Sequence, residues 1–138
     1  MNKYVLISCC KTKAKGKMPA SELYISNLFK KSMAYAKSLK PTKIFILSAK
    51  HGLLELDDPI STYDETLNSK KSDERKKWAN KVIQKLTIKT DLNKDEFIFL
   101  AGMKYRQYLL PHIKRHKIPM LGISLFEQPK WLQENTHG

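Results

Sequence analysis

Cysteine, glycine, proline and arginine are all scarce in this sequence, and it has no long apolar run. Its 138 residues include two cysteines, five glycines and six prolines. The cysteines are the adjacent pair Cys9 and Cys10, which cannot form a disulfide framework because neighbouring cysteines rarely bridge each other. They read as reduced thiols. Few glycines and prolines, with 41% apolar and 28% charged residues, exclude the collagenous, low-complexity and disordered classes. The apolar run near the start, Tyr4-Val5-Leu6-Ile7, is far too short for a membrane span. It also leads directly into Ser8-Cys9-Cys10-Lys11, which is no signal-peptide cleavage region. The expectation is a soluble, cytoplasmic protein that makes no membrane contact.

Acidic residues are half as common as basic ones, 13 against 26, for a formal net charge of +13. Apart from Arg75, Arg106 and Arg115, every one of those cations is a lysine. Lysine attracts phosphate as a point charge, whereas arginine has the planar fork that reads guanine edges. The balance therefore points to a nucleic acid or nucleotide partner, held through phosphates rather than by duplex sequence readout. The competing explanation is lysine used only as a solubilising surface residue.

The length suits one compact domain, expected over 1–138, with a core that needs neither disulfides nor metal. Three continuous apolar runs predict buried strands at 3–8, 43–48 and 96–101. Ile25, Phe29, Met33 and Ala36 form a helical stripe that ends before Pro41. Ser72 is placed to cap a second helix, with Asp73 and Glu74 in its first turn and Trp78, Val82 and Leu86 on its apolar face. A third helix is expected from Gly102 through His112, bent at Pro111, then a strand over 118–121 and a helix over 124–133. Alternating strands and helices predict a single three-layer α/β domain, its mostly parallel sheet flanked by helices.

Ligands of such sheets sit beyond the carboxyl ends of the strands, so three loops were expected to matter: 9–21, 49–63 and 102–105. The first carries Cys9, Lys11 and Lys13 among four lysines in seven positions, suited to an anion but lacking the P-loop spacing. The second carries His51 and Tyr63, with Ser48 just before it and Asp64 just after. His51 can pass a proton to a leaving group or simply satisfy a loop carbonyl; Asp64 can face a cationic sugar or cap a turn. The third carries Gly102 and Tyr105. Tyr24, Tyr63 and Tyr105 offer rings for stacking on a nucleobase, or buried rings with bonded hydroxyls. The spacings suggest no metal site and require no cofactor.

Three blocks resemble small YaaA-like domains of unknown function in bacteria and phages. They are Ile7-Ser8-Cys9-Cys10-Lys11-Thr12-Lys13 with Pro19 to Ser26, then Ile46 to Leu54 with Tyr63 to Leu67, and Ala101-Gly102-Met103-Lys104-Tyr105. The segment from Pro119 to Leu132 departs from that pattern, which usually has more glycine there. The resemblance implies a fold and a pocket. It also implies a nucleotide or nucleic-acid ligand, since the larger YaaA proteins are linked to peroxide stress and DNA binding, and similar cysteine–lysine loops occur in modified-base metabolism.

The resulting expectation is a nucleotide- or nucleic-acid-processing domain that cleaves an N-glycosidic bond, with Asp64 and His51 as catalytic groups. Cys9, Lys11, Lys13, Tyr24, Ser48, Tyr63, Gly102 and Tyr105 would bind the substrate. The alternatives are a non-catalytic DNA-binding or nucleotide-sensing module of stress or phage biology, and a thiol redox protein acting through Cys9.

Overall fold

The computed structural model describes residues 1–137. In chain order its elements are β1 (Lys3–Ser8), β2 (Lys17–Pro19), α1 (Ala20–Leu23), α2 (Asn27–Ser38), β3 (Lys43–Ser48), β4 (Gly52–Glu55) and β5 (Pro59–Ser61). There follow α3 (Ser72–Lys89), β6 (Glu96–Leu100), α4 (Met103–Arg106), β7 (Arg115–Lys117) and α5 (Gln128–Asn135).

The three apolar runs form the centre of a five-stranded sheet ordered β4-β3-β1-β6-β7, in which only β4 runs antiparallel. Side chains alternate across a strand, so an unbroken apolar run needs cover on both faces. Val5, Ile7, Ile44, Ile46, Ile98 and Leu100 pack on the side that holds Phe29 and Met33 of α2 and Leu132 of α5. Tyr4, Leu6, Phe45, Leu47, Phe97 and Phe99 pack on the side of Trp78, Val82 and Leu86 from α3. The fold is a three-layer α/β arrangement, as expected. No helix of the described residues is long and apolar enough to cross a membrane.

Helix α2 starts where Ser26 takes an extended conformation and its Oγ accepts the Phe29 N–H at 3.1 Å. It ends at Ser38, and beyond the cap residue Leu39 the φ of +50° at Lys40 breaks the helical path just ahead of Pro41. Helix α3 corrects one expectation. Ser72 is its first residue, Lys71 stands at the cap, and no side chain caps it.

The other departures have local causes. The last strand lies on Arg115-His116-Lys117 rather than 118–121, because Pro119 has no N–H for a ladder. A charged run can form this strand because it is the sheet's exposed edge. Beyond Gly102 the helix stops at Arg106, and a separate 3-10 turn covers Leu110–His112 at Pro111. Helix α5 begins at Gln128, with Pro129 in its first turn, rather than at Ser124. The region 49–63 is not one loop. It holds β4 and β5, with Gly52 at φ +73° turning the chain back along β3 and β5 pairing with β2.

The antiparallel edge is tied down by charge. Glu55 of β4 pairs with Lys43 of β3 and, at 2.6 Å, with Lys89 of α3. Those two ammonium groups hold its carboxyl down at about 2, so its contribution is full above the ordinary carboxylate range and lost as pH falls through 2. The pairs are partly solvated, so Glu55→Gln is expected to cost about 0.5–1 kcal/mol at neutral pH. Chemical denaturation of both proteins between pH 7 and pH 2 checks this: the two stabilities should converge on acidification.

Candidate functional site

From β1 the chain crosses by α2 to β3 on one side, whereas β6 leads to β7 on the other. Adjacent parallel strands whose exits diverge leave a crevice at their carboxyl ends. Here it opens between Ser8-Cys9-Cys10 and Ala101-Gly102. Its outer part, about 470 Å³, is lined by Cys9, Lys11, Lys13, Asp64, Gly102 and Tyr105. A narrower inner part of about 110 Å³ shares Cys9, Cys10 and Gly102 and adds Ser26, Ser32, Arg106 and Gln128.

The first loop is pinned in place. Cys9 N–H donates to Leu47 O at 2.9 Å, Ala14 N–H to Leu23 O at 2.8 Å, and Ile25 N–H to Thr12 O at 3.1 Å. Lys13 Nζ lies 4.5 Å from the centre of the Tyr63 ring and donates to Lys11 O at 3.2 Å. A cation held over an aromatic face keeps its charge at a defined place on the cleft wall. Both cysteines are free thiols: Cys9 Sγ lies 3.4 Å from Tyr105 Oη, and Cys10 Sγ donates to Thr12 O at 3.2 Å.

Behind the cleft, Tyr63 Oη lies 2.6 Å from Tyr24 Oη and 2.8 Å from Ser48 Oγ, which also accepts the His51 N–H at 3.0 Å. Burial pushes the Tyr24 phenol up to about 12 and raises that of Tyr63 further, so both stay protonated. Tyr105 is raised as well, by burial and then by Cys9. Its oxygen accepts the Leu67 N–H at 3.3 Å, leaving its proton for Cys9 Sγ or Thr66 Oγ1.

The profile of a family described as "Family of unknown function (DUF6884)" matches residues 4–134. The chain belongs to the DUF6884 family. No curated protein and no solved structure matches it. In this DUF6884 chain the matched span runs from β1 to the end of α5, so it includes every side chain of the cleft.

The DUF6884 cleft gathers most, but not all, of the side chains singled out in the sequence. Cys9, Lys11, Lys13, Asp64, Gly102 and Tyr105 line it together. Ser48, Tyr24 and Tyr63 support it from behind through their hydroxyls. Tyr24 is 1% exposed and Tyr105 6%, so neither ring has a free face for a nucleobase, whereas Tyr63 is half-buried with Lys13 over its ring. His51 is also displaced: it lines a neighbouring depression beside α3, which meets the cleft at Glu65. Burial, then the charge of Lys50, lowers its pKa and keeps it neutral. Its Nε2 is buried without a partner among the described residues.

Arg106 was missed. It half-buries its guanidinium in the inner cleft, donates to Ala101 O at 2.7 Å and has no carboxylate partner among the described residues. Burial lowers its pKa, yet a guanidinium stays charged. The available signal was its position: one of three arginines, four residues after Gly102 in a stretch already expected to be helical. Among the described residues no group of three or more His, Cys, Asp or Glu is placed to hold a metal.

Proposed function

We propose that the cleft between β1 and β6 binds a nucleotide, free or within nucleic acid, and hydrolyses its N-glycosidic bond. The observation that carries this reading is Arg106, a half-buried arginine with no carboxylate among the described residues to neutralise it, beneath a mouth that bears Lys11 and Lys13. Three cations converging on a crevice attract a phosphate, and a guanidinium can grip it with two parallel bonds. Asp64 stands at the same mouth, where a carboxylate favours positive charge developing on a sugar. As the bond from C1′ to the base nitrogen breaks, its electron pair leaves with the base. Water attacks C1′ and gives its proton to Asp64, and the departing base takes a proton from solvent at the open mouth. The resemblance of the Ile7–Lys13, Ile46–Leu54 and Ala101–Tyr105 segments to YaaA-like domains supports a nucleotide ligand.

The test is incubation with nucleoside monophosphates and with modified and unmodified oligonucleotides, following free base by chromatography and affinity by calorimetry. The expected result is base release, with Arg106→Gln weakening nucleotide binding by about tenfold or more, the worth of one charge-assisted hydrogen bond. A folded protein that neither binds nor cleaves any of them overturns the proposal. One observation favours a second reading. His51, the expected acid for the departing base, lies outside the cleft and is neutral, which suits a domain that senses a nucleotide without cleaving it. Binding without turnover selects that reading.

A further inference from the structure

The depression beyond Glu65 plays no part in the chemistry just described. It is a groove of about 410 Å³ between α3 and the turn joining β3 to β4, with Trp78 in its wall. Five lysines line it: Lys50, Lys70, Lys77, Lys81 and Lys85; Glu65 and Glu74 are the carboxylates that face them. Lys77, Lys81 and Lys85 are spaced four residues apart on one side of α3. Like charges at that spacing repel and weaken a helix, so helix stability gives no reason for the row. Lys50, Lys77 and Lys81 have no carboxylate partner among the described residues, whereas Lys70 lies 3.5 Å from Glu65 and 3.9 Å from Glu74.

We infer that this groove carries the phosphodiester backbone of a nucleic-acid strand, so that the cleft receives a nucleotide within a polymer rather than a free one. The inference rests on the nucleotide reading of the cleft. Lysines neutralise phosphates without reading bases, which fits a track that holds a strand irrespective of its sequence. Glu65 lines both depressions, so the groove and the cleft adjoin there. Its charge at the junction is offset by Lys70, leaving the path open to a polyanion. Where it crosses Glu65 the strand is single, because a nucleotide seated in the cleft has left its stack.

The experiment compares a fluorescent nucleoside monophosphate with a short single-stranded oligonucleotide of the same base. The oligonucleotide should bind about tenfold tighter or better, with a steeper loss of affinity as salt rises. Lys77→Gln with Lys81→Gln should erase that gain and flatten the salt slope by about 1.4, from about 0.7 for each lost phosphate contact. Monophosphate affinity should not change. Circular dichroism should show α3 intact, since the substitutions relieve repulsion.

An oligonucleotide that binds no tighter than the monophosphate overturns the inference, as does a gain that survives the double substitution. So does polyglutamate that competes as well as the oligonucleotide, since the groove would then be a site for acidic protein. A different pattern strikes the cleft reading instead: no monophosphate binding, with oligonucleotide binding that still depends on Lys77 and Lys81.

Discussion

Asp64→Asn is expected to slow base release by about a hundredfold or more while changing nucleotide affinity by less than about twofold. The amide matches the carboxylate in size but carries no charge and takes no proton from water. Both roles assigned to Asp64 therefore disappear together. Binding should survive because the phosphate is held by Lys11, Lys13 and Arg106, and Asp64 makes no hydrogen bond or ion pair that shapes the cleft among the described residues. The neighbouring carboxylate provides a control. Glu65 also lines the cleft but is already paired with Lys70, so Glu65→Gln should leave the rate within a few fold. Single-turnover measurements under saturating substrate separate the effects, since they read the chemical step without product release. Equal rates for wild type and Asp64→Asn would remove the carboxylate from the mechanism and leave the sensing role.

The sequence exposed those parts of the molecule where local pattern and tertiary role coincide. Strands β1, β3 and β6 were legible because a run covered on both faces must be apolar throughout, and their short length with β-branched and aromatic residues favours strand over helix. Cys9 and Gly102 were legible as cleft residues for a related reason: they follow such strands directly, and the crevice of a parallel sheet lies at those ends. His51 follows β3 just as closely, yet it faces the other depression. The cause is β4, whose antiparallel return turns the chain at Gly52 and points residues 49–51 toward α3. That reversal rests on one short strand, Gly52–Glu55, paired with β3 across the three-residue turn 49–51, a hairpin in a stretch expected to be an open loop. Arg106 and the row of Lys77, Lys81 and Lys85 were invisible as site residues for the opposite reason. Charged residues on helices look alike until packing decides which of them face a cavity.

Tyr63→Phe is expected to destabilise the fold by about 2–4 kcal/mol: about 1–3 kcal/mol for the buried Tyr24 hydroxyl left short of a partner and about 1 kcal/mol for the hydrogen bond lost at Ser48. Tyr24 Oη, on a side chain only 1% exposed, loses its 2.6 Å contact, and Ser48 Oγ keeps only the His51 N–H. The phenylalanine ring still fills the same space and still lies under Lys13, so packing and the cation over the ring contribute little to the loss. Replacing both tyrosines, Tyr24→Phe with Tyr63→Phe, removes two hydroxyls that satisfied each other. The double variant should therefore be more stable than the sum of the single losses allows. Urea unfolding measures this, with the midpoint falling and the slope unchanged. The two phenols also set an alkaline limit. Their stabilising effect is full below the ordinary phenol range near 10 and falls away above it, through about 12 for Tyr24, so the wild type should weaken there more steeply than the double variant. The same hydroxyls hold the turn after β3, through the His51 N–H that Ser48 accepts. If the single variant lost less than about 0.5 kcal/mol and the losses simply added, water would be able to reach these hydroxyls. The wall behind the cleft would then be looser than three hydroxyls in hydrogen-bond contact imply.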